Sequence, residues 1–180
     1  MGKHHSIANR ATDPVSLLQD FFSQLYIEDR FNTIAKEHIS GWENWLQIEF
    51  AYFLSRRISD ENGQWWREYK IRWDNMPPDM DSVKPDFWLW AGTDKHYHLI
   101  EFKQSSSTSK TALRGLNDDI EKLSSLSLAR EFDVVGDTEC YTCTSKVFVL
   151  VLVSQRESPS ETVCDAATTI GGKIGDSGWY

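Results

Sequence analysis

Two runs, Lys84-Pro-Asp-Phe-Trp-Leu-Trp90 and His96-Tyr-His-Leu-Ile-Glu-Phe-Lys103, flank the turn Gly92-Thr-Asp-Lys95. Each run is apolar, aromatic and of strand length, so the pair reads as an antiparallel hairpin. Pro85 stands where a strand begins, the position at which its missing N–H does least harm. Side chains alternate across a strand, which puts Tyr97, Leu99, Glu101 and Lys103 on one face and His98, Ile100 and Phe102 on the other. Glu101 and Lys103 are then about 6 to 7 Å apart along the strand, at the end of an otherwise core-like stripe. Burying such charges without a purpose costs several kcal/mol. The turn brings Asp86 alongside Glu101, so two carboxylates and a lysine converge.

Before the hairpin, Gln64-Trp-Trp-Arg-Glu-Tyr-Lys-Ile-Arg-Trp73 alternates and predicts a strand, with Met76 to Ser82 as a loop. Upstream, a helix is expected from Trp42 to about Arg57. Its apolar stripe, drawn through Trp42, Trp45, Leu46, Phe53 and Leu54, places Glu49 on the buried side, where a carboxylate aimed at the sheet needs a partner. A divalent cation held with Asp86 and Glu101 supplies one, since Mg²⁺ takes a few carboxylate oxygens together with waters and substrate phosphate. Asp13-Pro14 opens an N-terminal helix carrying Val15, Leu17, Leu18, Phe21, Phe22 and Leu25, and Phe31, Ile34 and Ala35 suggest a second short one.

After the hairpin, the Ser/Thr-rich run Gln104 to Lys110 is a loop. A helix follows from about Thr111 with Leu113, Leu116, Ile120, Leu123 and Leu126 at spacings of three and four. Arg130 to Ser145 carries no clear pattern. Lys146 to Ser154 is a continuous apolar strand, expected to be buried on both faces as an inner strand reached by a helical crossover. The expectation is one α/β domain over residues 1–180: a mixed four-stranded sheet flanked by helices, with core about 42–154, N-terminal helical extension 1–40 and a polar tail 155–180.

The chain has 180 residues, 40% of them hydrophobic, which suffices for one core and makes two full domains improbable on size. Its longest apolar run, Val147 to Val153, is too short for a membrane helix, so no membrane partner is expected. Met1-Gly-Lys-His-His-Ser lacks the plan of a secretory signal, making the cytoplasm the default compartment. Three cysteines do not form a disulfide framework. A net charge of −8 argues against coating nucleic acid by bulk charge, though a local basic groove is compatible with it.

In the order helix Glu49, strand Pro85-Asp86, turn, strand Glu101-Phe102-Lys103, helix, strand, the chain resembles the PD-(D/E)xK phosphodiesterases, the restriction-endonuclease-like nucleases. The resemblance covers roughly residues 42 to 154. It implies a restriction-endonuclease-like core and metal-dependent hydrolysis of nucleic acid, with a DNA endonuclease the favoured form. It also implies Mg²⁺ (or Mn²⁺) held by Asp86 and Glu101, with the Phe102 carbonyl as an extra ligand and Glu49 ligating the metal or its water shell. Lys103 then positions or activates the attacking water and offsets charge developing on the phosphate. A nuclease cutting both strands often pairs, so a homodimer or larger complex is left open.

Other readings compete. A non-catalytic module of the same fold, binding a protein partner or nucleic acid, is the rival function. Glu101 and Lys103 can form an exposed cross-strand ion pair. Glu49 can pair with Arg56 or Arg57, leaving Glu43 or Gln47 to face the site. Asp118, Asp119 and Lys122 read best as a solvated helix face. His96 and His98 lie opposite Glu101 and stay outside the site. Cys140-Tyr-Thr-Cys143 with Cys164 lacks a fourth zinc ligand. Trp65, Trp66, Trp73, Trp88 and Trp90 read as core before base-stacking, and Arg67, Lys70, Arg72, Lys84 and Lys110 are either a basic rim or ordinary solubilising charge.

Overall fold

The computed structural model describes residues 13–58, 64–73, 78, 82–92, 95–105, 110–124, 126, 128–131 and 140–153. Three helices come first: α1 (Pro14–Phe22), α2 (Leu25–Lys36) and α3 (Glu43–Arg57). α1 begins where its residues dictate, with the Asp13 carboxylate accepting from the amides of Val15 and Ser16 at 3.2 Å each and Pro14 in the first turn. α2 is longer than the short piece expected, and buries Ile27, Phe31 and Ile34 at helical spacing. No described helix is long and apolar enough to cross a membrane.

The remaining elements are β1 (Trp65–Arg67), β2 (Ile71–Trp73), β3 (Phe87–Trp90), β4 (His96–Ser105), α4 (Lys110–Ser124), β5 (Leu128–Glu131) and β6 (Cys140–Leu152). The strands make one mixed sheet in the order β1-β3-β4-β6-β5-β2, with β4 and β6 parallel and the other neighbours antiparallel. The α/β class, the mixed sheet, the hairpin and the helical crossover agree with expectation.

Two readings of the strands are corrected. The run 64–73 is not one strand: Glu68 takes a left-handed φ of 52°, the alternation loses phase there, and β1 and β2 lie at opposite ends of the strand order. Arg67 and Ile71 are linked by so few residues that their Cα atoms lie within about 15 Å. A flat sheet of this many strands would hold its edges about 24 Å apart. The sheet therefore curls until its edges approach, and Val83 bridges to Ile71 across the opening. The second correction concerns β6, which is half-buried rather than buried on both faces and begins at Cys140, within the stretch that carried no clear pattern. β5, which runs into the start of that stretch, was not foreseen. The expected loops 76–82 and 104–110 and the tail from 155 lie largely or wholly outside the described residues.

Two cores sit on the two sheet faces. On one, Phe21, Phe50, Phe87 and Phe102 are fully buried beneath the N-terminal helices and meet edge to face, with Phe50 5.1 Å from Phe21, 5.0 Å from Phe87 and 5.3 Å from Phe102. On the other, Trp88, Tyr97 and Leu99 pack with Ile71, Val83, and Leu123 and Leu126 from the end of α4 and just beyond. The alternation read from β4 is the one observed: Ile100 and Phe102 enter the first core, Tyr97 and Leu99 the second.

Candidate functional site

The site follows from strand register. In the hairpin Phe87 faces Ile100, so the next pair outward is Asp86 and Glu101. Directly opposed residues on neighbouring strands have Cβ atoms about 4.5–5.5 Å apart. From the other side β1 fixes the same residue, the Glu68 amide donating to the Asp86 carbonyl at 3.2 Å.

Asp86 is held at both carboxyl oxygens. Gln47 Nε2 donates to Oδ1 at 2.8 Å and the Phe102 amide donates to Oδ2 at 2.7 Å. Its carboxyl also interacts electrostatically with that of Glu101, on the opposed residue. Glu101 is only 7% exposed. Burial, then the neighbouring charges of Asp86 and Asp119, push its carboxyl up to about 8. Asp86 is raised as well, by burial and by the charge of Glu43, against the lowering effect of the Phe102 amide. Near neutrality Glu101 therefore mostly keeps its proton, the expected state of a desolvated carboxyl group beside a second one.

Lys103 lies on the same face and its Nζ is 2.9 Å from Asp119 Oδ2 on α4. Burial alone would lower the ammonium's pKa, but Asp119, with Glu43 and Glu101, outweighs it and holds the group above its usual range. Lys103 is thus kept charged. Glu43, in the first turn of α3, accepts from the Gln104 amide at 3.2 Å. A further chain runs from β1: Arg67 Nη2 donates to Gln47 Oε1 at 2.7 Å and lies 3.3 Å from Glu68, while its buried Nε has no hydrogen-bond partner among the described residues.

Asp86, Glu101 and Lys103 are therefore brought together, and Glu49 is not among them. Its Oε1 accepts from Trp45 Nε1 at 3.0 Å and lies 3.7 Å from Arg30 of α2. The residues of α3 that face the carboxyl pair are Gln47, 4% exposed, and Glu43. The stripe misled because α3 is apolar on more than one side, packing against α1 and α2 as well as the sheet, so the buried arc is too wide to identify the sheet-facing line. Phe50, outside the drawn stripe, is at its centre. Asp119, assigned to a solvated face, is the ion-pair partner of Lys103, and no local signal distinguished it from Asp118. Phe102 meets the site through its amide, while its ring lies in the opposite core.

Neighbouring groups have other partners. His98 is buried with Nδ1 2.6 Å from Ser145 Oγ, outside the carboxyl cluster as expected. Cys143 is a free thiol pushed up to about 11 by burial, so its thiol form predominates near neutrality. Cys164 lies outside the described residues. A cavity of about 400 Å³ opens between the α1–α2 turn and the end of α3, lined by Gln24, Tyr26, Tyr52, Phe53, Arg56 and Arg57. It contains no carboxylate, and the clustered acid–base groups lie elsewhere.

Among the described residues no three His, Cys, Asp or Glu side chains form a metal-ligand set. Mg²⁺ does not require one, because it commonly binds through one or two carboxylates and completes its shell with waters and phosphate. Asp86 and Glu101 fit that demand: they are adjacent, desolvated and mutually repulsive when both ionised, and a cation between them would offset the repulsion and favour the ionised forms. The chain matches no protein-family model, no curated protein and no solved structure.

Proposed function

We propose that the chain is a divalent-metal-dependent phosphodiesterase acting on nucleic acid, with DNA the first substrate to examine. The observation that carries the reading is the opposition of Asp86 and Glu101 across the hairpin, with the charged Lys103 on the same face. Mg²⁺ or Mn²⁺ held there by Asp86 and Glu101 would supply Lewis-acid stabilisation and make water a stronger nucleophile. In the reaction, water adds to phosphorus, the bond from phosphorus to one sugar oxygen breaks, and a phosphate monoester and a hydroxyl result. Lys103, held protonated by Asp119, serves as a cation facing the charge that accumulates on the phosphoryl oxygens rather than as a base. Gln47, anchored by Arg67, orients Asp86, and the Phe102 amide fixes its second oxygen.

The test is cleavage of supercoiled plasmid and of short single-stranded DNA and RNA, with Mg²⁺, with Mn²⁺ and with chelator. Wild type should cut only with metal. Asp86→Ala and Lys103→Ala, at matched folding, should lose on the order of 10²-fold or more. Independently of activity, Mg²⁺ should raise the wild-type Tm at pH 8 and leave that of Asp86→Ala unchanged. No cutting of any substrate, together with no calorimetric Mg²⁺ binding, would replace this reading with the non-catalytic binding module.

A further inference from the structure

We infer that the substrate is engaged unpaired, a base beside the reacting phosphate stacking on a ledge formed by Trp66 and Tyr69. The inference rests on the phosphodiesterase reading above and adds a substrate class to it. β1 places Trp66 opposite Trp88 and hydrogen-bonds Glu68 to Asp86, so the ledge runs alongside Asp86 on the face that carries Glu101 and Lys103. Two residues along and one strand across is a separation of about 8 to 9 Å between Trp66 and Asp86 backbones. That is within reach of a nucleotide adjoining the phosphate.

The ledge is packed against the second core beneath and is partly exposed to solvent. Trp66 and Tyr69 lie 5.6 Å apart, and both rest on Trp88, at 4.8 Å and 6.3 Å. Trp88 is fully buried, whereas the two ledge residues are half-buried. Lys70, which is exposed, follows in the chain and matches the charge of a sugar–phosphate strand. Arg67 is turned instead toward Gln47.

Charge balance favours the same substrate class. With a net charge of −8 the chain gains little from bulk attraction to phosphate, so affinity needs a term that does not depend on charge. Stacking on aromatic rings is such a term, worth about tenfold per base. A duplex hides its base faces within its own stack, and an unpaired strand offers them.

Binding measured with the Lys103→Ala variant, so that no strand is cut, tests this directly. The probes are a short single-stranded oligodeoxynucleotide, its duplex, and a fully abasic strand of the same length. The intact single strand should bind at least about tenfold more tightly than either comparator. Trp66→Ala should erase that preference, Trp66→Phe should keep most of it, and the salt dependence should stay the same. Tyr69→Leu, which retains apolar bulk, should halve or further reduce the preference even if Trp66→Ala fails to fold. Equal binding of intact and abasic strands, or a preference unmoved by Tyr69→Leu, would overturn the ledge. A wild type that cuts duplex and shows no such preference would remove the ledge and keep the nuclease, whereas one that neither cuts nor binds any strand would remove both.

Discussion

On the sheet face beneath α3, β4 contributes Ile100 and Phe102, both fully buried in a core of phenylalanine rings. On the α4 face, one residue out of step, the same strand contributes Leu99, then Glu101 and Lys103. Around Ile100 and Phe102 the first face is apolar, and the stabilisation of that core scales with buried area. The second begins as an aromatic core and ends in buried charge, where desolvation holds Glu101 far from its usual ionisation. Stability is concentrated on one face and chemistry on the end of the other. A two-residue alternation separates them, and a single strand carries both.

The contrast can be broken most severely at Phe50, which touches Phe21, Phe87 and Phe102. Phe50→Ala should cost about 3–5 kcal/mol in urea unfolding. A loss below about 1 kcal/mol would mean that this face is not the principal core.

Next comes Glu101, where the sign is opposite. Its folded carboxyl titrates at about 8 against an ordinary 4.5, so across that window the folded state keeps a proton that the unfolded chain has released. The group's contribution to stability is full below pH 4.5 and is lost as pH rises through 8, with a slope of at most about 1.4 kcal/mol per unit. Glu101→Gln should flatten the profile and raise stability at pH 8. The raised Asp86 carboxyl acts in the same direction and leaves a residual slope. Mg²⁺ should flatten the wild-type profile as well, because it favours the ionised pair. Unfolding midpoints across this pH range that rise for wild type would contradict the buried, cation-free pair.

The smallest effects divide α3. Gln47→Ala strands a donor of Arg67 and an acceptor of Asp86, and should cost about 1–3 kcal/mol and reduce cleavage. Glu49→Gln, at a partly exposed contact with Arg30, should stay within about 0.5 kcal/mol and leave cleavage at the wild-type rate. Equal losses of cleavage in the two variants would return Glu49 to the site.

The hairpin was legible because its information is local. Alternation along His96 to Lys103 set the faces, and the turn at Gly92 to Lys95 set the register that opposes Asp86 to Glu101. α3 was legible as a helix but not in its rotation about its own axis, since apolar residues surround it and packing on two sides makes the choice. The break at Glu68 was hidden because a single left-handed residue without glycine leaves the run looking continuous. Asp119 and Gln47 become members of the site only through partners 16 and 39 residues away, Lys103 and Asp86.

By itself, then, the sequence determined the element types, the hairpin and the side of the sheet on which a carboxylate and a lysine would stand. These follow from strand period and turn length, properties of adjacent residues. Only the tertiary structure decided which α3 side chains face the carboxyl pair, that the sheet curls to bring its edges together, and that Asp119 holds Lys103 charged. Those outcomes depend on which distant surfaces exclude water from one another, a property of the packed chain that no local window contains.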